Sequence, residues 1–302
     1  MARGWRRWSA AAAAAALLGG SAADAAPLVL MTDFGLKDGA VSEMKGVAYG
    51  VSAGLIVSDL THEIPAGNIF EGAYRLDQTA PYWPRGTVFV GVVDPGVGTT
   101  RLSIALRTKA GHVFVLPDNG LVSLIAEHEG VEAVRRINEA QNRLPGSEDS
   151  HTFFGRDVYG YVGARLAAVT VRFEDLGPEM RLDQLVRLTY PKAVNQGGRL
   201  TGLVPALDVQ YGNVWTNIPK SLFDELGFKI GDKVRVRIFQ GARLVDEVTA
   251  PYARTFGDVA EGAPLLYVNS VLNMALALNL GDYAKAHHIG SGPGWTVEIG
   301  RP

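Results

Sequence analysis

One alternation constrains this chain more than any other feature. From Leu28 onward it runs strand, loop, helix, and repeats. The stretches "LVLMTDFG", "GLIVSDLTH", "TVFVGVVDPG" and "HVFVLPDNG" are apolar runs, each closing in polar residues that include an acid. "AVSEMKGVAYGVS", "NIFEGAYRLDQTAPYW" and "GLVSLIAEHEG" follow three of them and suit helices. Strands covered on both faces read as near-continuous apolar runs, and strands alternating with helices build a mostly parallel sheet. The fold class expected is therefore α/β. After about Tyr190 the pattern changes. "GGRLTGLVPALDVQYGNVWTNI", "KVRVRIFQ" and "RLVDEVTAPY" alternate apolar and polar residues with no long helix, which predicts an antiparallel β domain. "YPKAVNQGGR" reads as the linker. The expected division is an α/β domain over 27–190 and a mainly β domain over 197–302.

Composition narrows the function. The 302 residues carry a formal net charge of -2, so there is no basic footprint for nucleic acid and no polybasic membrane patch. There is no cysteine, which excludes disulfides, thiolate metal sites and a cysteine nucleophile. The first residues differ in kind from the rest. "MARGWRRWSAAAAAAALLGGSAADAAP" places arginines first, then a short Ala/Leu run, then small residues around Ala25. That is the layout of a secretory signal peptide. Residues 1–25 are expected to be removed near Ala25, with the product periplasmic or secreted. The apolar run is too short to serve comfortably as a stable membrane anchor.

Ligands of open α/β sheets bind outside the carboxyl ends of the strands. Asp33, Asp59 with His62, Asp94, and Asp118 with Asn119 all fall at such ends. A single one suits a turn or cap equally well; four strands ending alike point to a shared polar pocket. In "VFVGVVDPGVGTTR", Pro95, Gly96 and Gly98 turn the backbone sharply, so Arg101 folds back toward Asp94. An arginine beside a carboxylate keeps it ionised. The pair either positions a water or simply closes the loop. "HTFFGRDVYG" holds His151, two aromatics and an Arg–Asp pair, and reads otherwise as a loop into a helix. "LDVQYGNVWTN" places Tyr211 and Trp215 around Asn213, which suits a planar base or an aromatic hairpin.

Taken together, "TDFGLKDGAVSEMKG", "DLTHEIPAGNIFEGA", "VVDPGVGTTR", "PDNGLVS", "TFFGRD" and "YGNVWTN" resemble the S-adenosylmethionine hydroxide adenosyltransferases in order and approximate spacing. These are the water-using relatives of the bacterial fluorinase and chlorinase. The resemblance runs from Leu28 to about Ser270. It implies an N-terminal α/β domain, a C-terminal β-barrel-like domain, and homotrimers with sites between subunits. It implies S-adenosylmethionine as substrate, water as nucleophile, adenosine and L-methionine as products, and no metal or other cofactor. By the match, Asp33 holds the ribose hydroxyls, and Asp38 and Asp208 hold the methionine ammonium. Tyr211, Asn213 and Trp215 meet the adenine side, and Ser270 meets the methionine carboxylate. Asn119, Phe153 and Phe154 fall among the substrate-binding positions. Asp94 and Arg101 match the pair that handles the water. The halogenating relatives lack an acid at the position of Asp94, so that residue favours water over halide. The chain departs from the pattern at Phe154, where the hydrolases carry histidine in "TFHGRD". Either Asp94 and Arg101 suffice without it, or His151, three residues earlier, reaches in as a catalytic residue, or turnover is lost and the chain is a non-catalytic adenosyl-ligand binding protein. "NSVLNMALALN" also departs from the family after Ser270.

Overall fold

The computed structural model describes residues 25–302, so residues 1–24 of the expected leader lie outside it. Strand β1 (Leu28–Thr32) is buried at every position, as the centre of a covered parallel sheet requires. Helix α1 (Ala40–Val51) buries Val41, Met44 and Ala48, one stripe at helical spacing. β2 (Val57–Thr61) leads to α2 (Ile69–Thr79), whose Asn68 cap accepts from the Glu71 amide at 3.1 Å. Next come β3 (Val88–Val92), β4 (Ser103–Thr108), β5 (Val113–Pro117), α3 (Ser123–His128), β6 (Val131–Arg136) and α4 (Glu139–Asn142). A π-type turn over Gly155–Gly160 runs into α5 (Tyr161–Ala167). Gly163 lets α5 settle onto β3: a Cβ there would sit 2.3 Å from Val90 Cγ2.

The six strands form one sheet in the order β2-β1-β3-β5-β4-β6. β1 pairs in parallel with β2 and β3, and β3 with β5. β4 runs antiparallel to both of its neighbours. Neither β4 nor β6 is expected from the sequence pattern. Only Lys109–His112 join β4 to β5, too short a link for a parallel crossover, so the chain turns back as a hairpin.

The second half contains β7 (Val194–Gln196), β8 (Arg199–Leu203), β9 (Leu207–Asp208), β10 (Asn213–Pro219), α6 (Lys220–Asp224), β11 (Lys233–Gln240) and β12 (Arg243–Pro251). It ends with β13 (Pro264–Val268), β14 (Asn273–Leu278), α7 (Tyr283–Ala286) and β15 (Trp295–Gly300). β11 alternates buried and half-exposed side chains along its length, the period-two pattern of a one-sided strand. The strands form two separate antiparallel sheets, β13-β14-β10-β9 and β12-β11-β15-β8-β7. The expectation of a barrel is corrected to this extent: the barrel is not closed. The edge strands β9 and β7 have two and three residues, too few for a continuous ladder. At another corner a single bridge, Tyr252 to Leu266, links the sheets. Leu200, Val214, Phe223, Val236, Leu266 and Val297 share the core between them.

The two halves meet along α2. Phe70 and Tyr74 share a buried cluster with Leu203, Ala206 and Trp215. Arg75 donates to the Leu207 carbonyl at 2.8 Å, just before Asp208. Among the described residues no helix is long and apolar enough to cross a membrane.

One buried ion pair gives the first half a pH-dependent stability. His112 Nδ1 lies 2.9 Å from Glu129 Oε1, and its Nε2 lies 3.1 Å from the Trp83 carbonyl. The Glu129 hydrogen bond raises the histidine pKa, overriding the opposing effect of burial. A raised folded-state pKa contributes stability that is complete below the unfolded value and fades as pH rises through the folded one. His112→Gln should therefore cost about 1–3 kcal/mol at mildly acidic pH. The deficit should narrow as pH climbs above about 6.5. Thermal melts of both proteins across that range check it.

Candidate active site

β3 ends at Val92, and Asp94 follows two residues later. The loop then closes tightly: the Thr99 amide donates to the Gly96 carbonyl at 3.1 Å, and Gly98 takes φ +79°. That positive φ suits glycine because a Cβ would be strained there. The loop returns Arg101 onto Asp94. Arg101 Nε donates to Oδ1 at 3.0 Å and to Oδ2 at 2.9 Å, and a guanidinium Nη2 lies 2.6 Å from Oδ2. The Asp94 side chain is 2% exposed and that of Arg101 9%. Burial opposes the charge on Arg101. The Asp94 hydrogen bond, then Tyr159, the Asp94 charge and Glu139 outweigh it, so the guanidinium is held more firmly protonated than usual. Arg101 Nη1 also donates to Ser103 Oγ at 3.3 Å, and Ser103 donates to Glu139 at 2.6 Å.

The neighbouring strand ends hold the rest of this edge. Asp33 follows β1 and accepts from the Gly67 amide at 2.8 Å. Asp38 is exposed and accepts from the Ala40 amide at 3.0 Å, at the start of α1. Asn119 spends both polar groups on backbone: Nδ2 donates to the Val93 carbonyl at 2.8 Å and Oδ1 accepts from the Leu121 amide at 3.2 Å. It thus braces the chain beside Asp94. Asp118 accepts from the Val186 amide at 3.0 Å, and burial raises its pKa. Asp59 is engaged by Lys45 at 2.6 Å and by His62 at 3.0 Å.

The "TFFGRD" stretch divides its residues between solvent and core. His151 is exposed and makes no hydrogen bond or ion pair with Asp94 or Arg101. Phe153 packs edge-on against Phe34, with centroids 5.7 Å apart. Phe154 is buried, with the Arg101 guanidinium 4.7 Å from its ring centroid. Two neighbours of that ring, Arg143 and Tyr159, carry no sequence signal of their own.

The second half supplies a cleft of ≈ 670 Å³. Asp208, Tyr211, Asn213, Trp215 and Ser270 all line it. Asn213 Nδ2 donates to Asp208 Oδ2 at 3.1 Å, which ties the two polar groups together. Tyr211 is 66% exposed, a large aromatic face left open at the rim. Tyr267 and Asn269 line the cleft as well, and the Asn269 Nδ2 is buried without a partner among the described residues. An unused buried donor costs free energy unless a ligand satisfies it. Asn269 stands directly before Ser270 in sequence, a signal that could have been read. Gly212 forms the turn at φ +68°, and a Cβ there would lie 1.8 Å from Asp282 Oδ1. Gly212→Ala should therefore cost about 1–3 kcal/mol or more and distort the rim, which a thermal melt and ligand titration will show. Every lining residue of this cleft comes from the second half of the chain, between Asp208 and Asp282. The chain's own Asp94 edge does not reach it.

The arrangement is therefore a buried Asp–Arg pair at a parallel-sheet edge, and a separate aromatic and amide-lined cleft on a β domain. Residues 28–177 match the SAM hydroxide adenosyltransferase N-terminal domain, and residues 202–296 match the SAM hydroxide adenosyltransferase C-terminal domain. The chain belongs to the SAM hydroxide adenosyltransferase family. It is 37% identical over 269 residues to the (R)-S-adenosyl-L-methionine hydrolase of Salinispora tropica, covering 89% of this chain and 95% of that one. It is 28% identical over 301 residues to a fluorinase from an Actinoplanes species, covering 91% and 98% of the two chains. A crystal structure of a conserved protein from Thermotoga maritima superposes with a TM-score of 0.83 at 34% identity, covering 91% of this chain and all (100%) of that one.

Proposed function

We propose that this protein hydrolyses S-adenosyl-L-methionine to adenosine and L-methionine. The observation that carries this reading is the buried Asp94–Arg101 pair at the end of β3, held by three nitrogen–oxygen contacts between 2.6 and 3.0 Å. A fixed carboxylate there accepts a hydrogen bond from one water and disfavours a halide, because like charges repel in a poorly solvated pocket. The water oxygen bonds to C5′ as the C5′–S bond breaks. The bonding pair passes to sulfur and cancels the sulfonium charge. The leaving group needs no acid. One water proton passes by way of Asp94 to solvent, so each turnover releases one proton. Catalysis then rests on alignment and on exclusion of competing water.

In this reading Asp33 faces the ribose, Asp38 and Asp208 the ammonium, and Tyr211, Asn213 and Trp215 the adenine. Ser270 and the open donor of Asn269 face the methionine carboxylate. No residue of its own chain's first domain lines the cleft, where Tyr82 touches only the Ser270 carbonyl at 3.4 Å, so in this reading a complete site takes Asp94 from one subunit and the cleft from another. That supports an oligomer with sites shared between subunits, and the family resemblance makes it a homotrimer. The leader supports export, where S-adenosylmethionine would have to be supplied from outside the cytoplasm. Chromatography of S-adenosylmethionine incubated with protein starting at Ala26 tests the reaction: adenosine and methionine should appear in equal amounts. Binding without either product would replace hydrolysis with an adenosyl-ligand binding role.

A further inference from the structure

By the resemblance, Phe154 stands where a histidine is expected, and its surroundings show what the ring does in this chain. The Arg101 guanidinium carbon lies 4.7 Å from the ring centroid, and that of Arg143 lies 4.9 Å from it. Tyr159 packs at 6.4 Å between centroids and also carries Arg101 at 5.7 Å. Two cations gather on one aromatic ring, each beside a carboxylate, though the one near Arg143 is bound more closely by Arg156 at 2.7 Å. Arg101 holds Asp94, and Arg143 lies 3.9 Å from Asp157. Arg143 is tethered further by donating to the Ser150 carbonyl at 2.8 Å. The ring is 7% exposed, so water does not screen these contacts. A desolvated guanidinium over an aromatic face is among the stronger cation–π arrangements.

Resting on the hydrolase reading, we infer that Phe154 is a positioning residue: its ring holds the Arg101 guanidinium square on Asp94, so that the Asp–Arg pair alone manages the water. A phenyl ring takes no proton. The titratable and charged groups around it are Asp94, Arg101, Glu139, Arg143, Asp157 and Tyr159, with Arg156 on the far side of Asp157. None is a histidine, and His151 on the same segment points to solvent. The rate therefore carries no histidine step.

The test compares the unaltered protein with Phe154→Leu, Phe154→Tyr and Phe154→His, each checked for folding by thermal melt. Phe154→Leu keeps apolar bulk and removes the π face. It should lower kcat on the order of tenfold with KM nearly unchanged. Phe154→Tyr should recover most of that loss. The pH–rate profile of the unaltered protein should show no inflection near about 6.5, and Phe154→His should introduce one. A second readout needs no turnover. In arginine-labelled protein, the Arg101 Nε–H resonance, assigned with Arg101→Lys, should be shifted by the ring current and protected from exchange. It should lose both properties in Phe154→Leu and keep them in Phe154→Tyr. If adenosine forms and Phe154→Leu matches the unaltered protein in rate and resonance, the positioning role is overturned. If no variant forms adenosine, the hydrolase reading fails and the resonance alone decides the clamp.

Discussion

Asp94→Ala should lower kcat/KM for adenosine release by about 10²–10⁴-fold. The loss should fall on kcat, because in the proposed reading Asp94 acts on the attacking water and leaves the adenosine and methionine ends of the substrate untouched. The alanine variant also takes the close carboxylate from Arg101, which is 9% exposed, and leaves it only Glu139 at 3.9 Å. An unpaired buried charge destabilises a fold, so the variant melts lower. Asp94→Asn separates the two effects. Its amide still accepts a hydrogen bond from Arg101 Nε but cannot take the proton. The activity of Asp94→Asn should stay low while much of its melting temperature returns. Steady-state kinetics and a melt on the same samples check both halves. An Asp94→Asn enzyme with near-unaltered kcat would remove the carboxylate from the chemistry.

The second large effect concerns where the site is assembled. Asp94→Ala and Asp208→Ala each damage a different domain, and each homo-oligomer should be nearly inactive. Co-expression under two tags gives mixed oligomers. If one subunit's β3 edge faces its neighbour's cleft, random mixing leaves about one quarter of the sites intact. In doubly tagged trimers, where every mixed ring keeps one intact site of three, activity should therefore return to roughly a third of the unaltered level. A site contained within one chain returns nothing. The expectation follows from the cleft, whose lining residues all fall between Asp208 and Asp282.

Much of this arrangement was legible in the residues. β1 and β3 are buried at every position, so their uninterrupted apolar runs announced a covered parallel sheet. The spacing of Asp94, Gly98 and Arg101 announced a loop folding back on itself. What was missed has physical causes. β4 lies in "RLSIALRTKAG", whose direction is set by a short link with Gly111 at φ +94°, and the sequence pattern alone did not reverse it. β9 has two residues, below any periodicity. Arg143 reaches Phe154 from an irregular segment, so no helical or strand spacing connects them. Asp282 presses on Gly212 from a distant turn, a contact that only folding creates. His151 was expected near the water. It is exposed, whereas Phe154, three residues on, is buried.

The chemistry is read most directly by isotope. S-adenosylmethionine is incubated with the protein in ¹⁸O-water and the products are weighed by mass spectrometry. In-line attack by water at C5′ puts one heavy oxygen in the adenosine and none in the methionine. Unlabelled adenosine, or a product that keeps the C5′–S bond such as 5′-methylthioadenosine, would contradict attack of water at C5′.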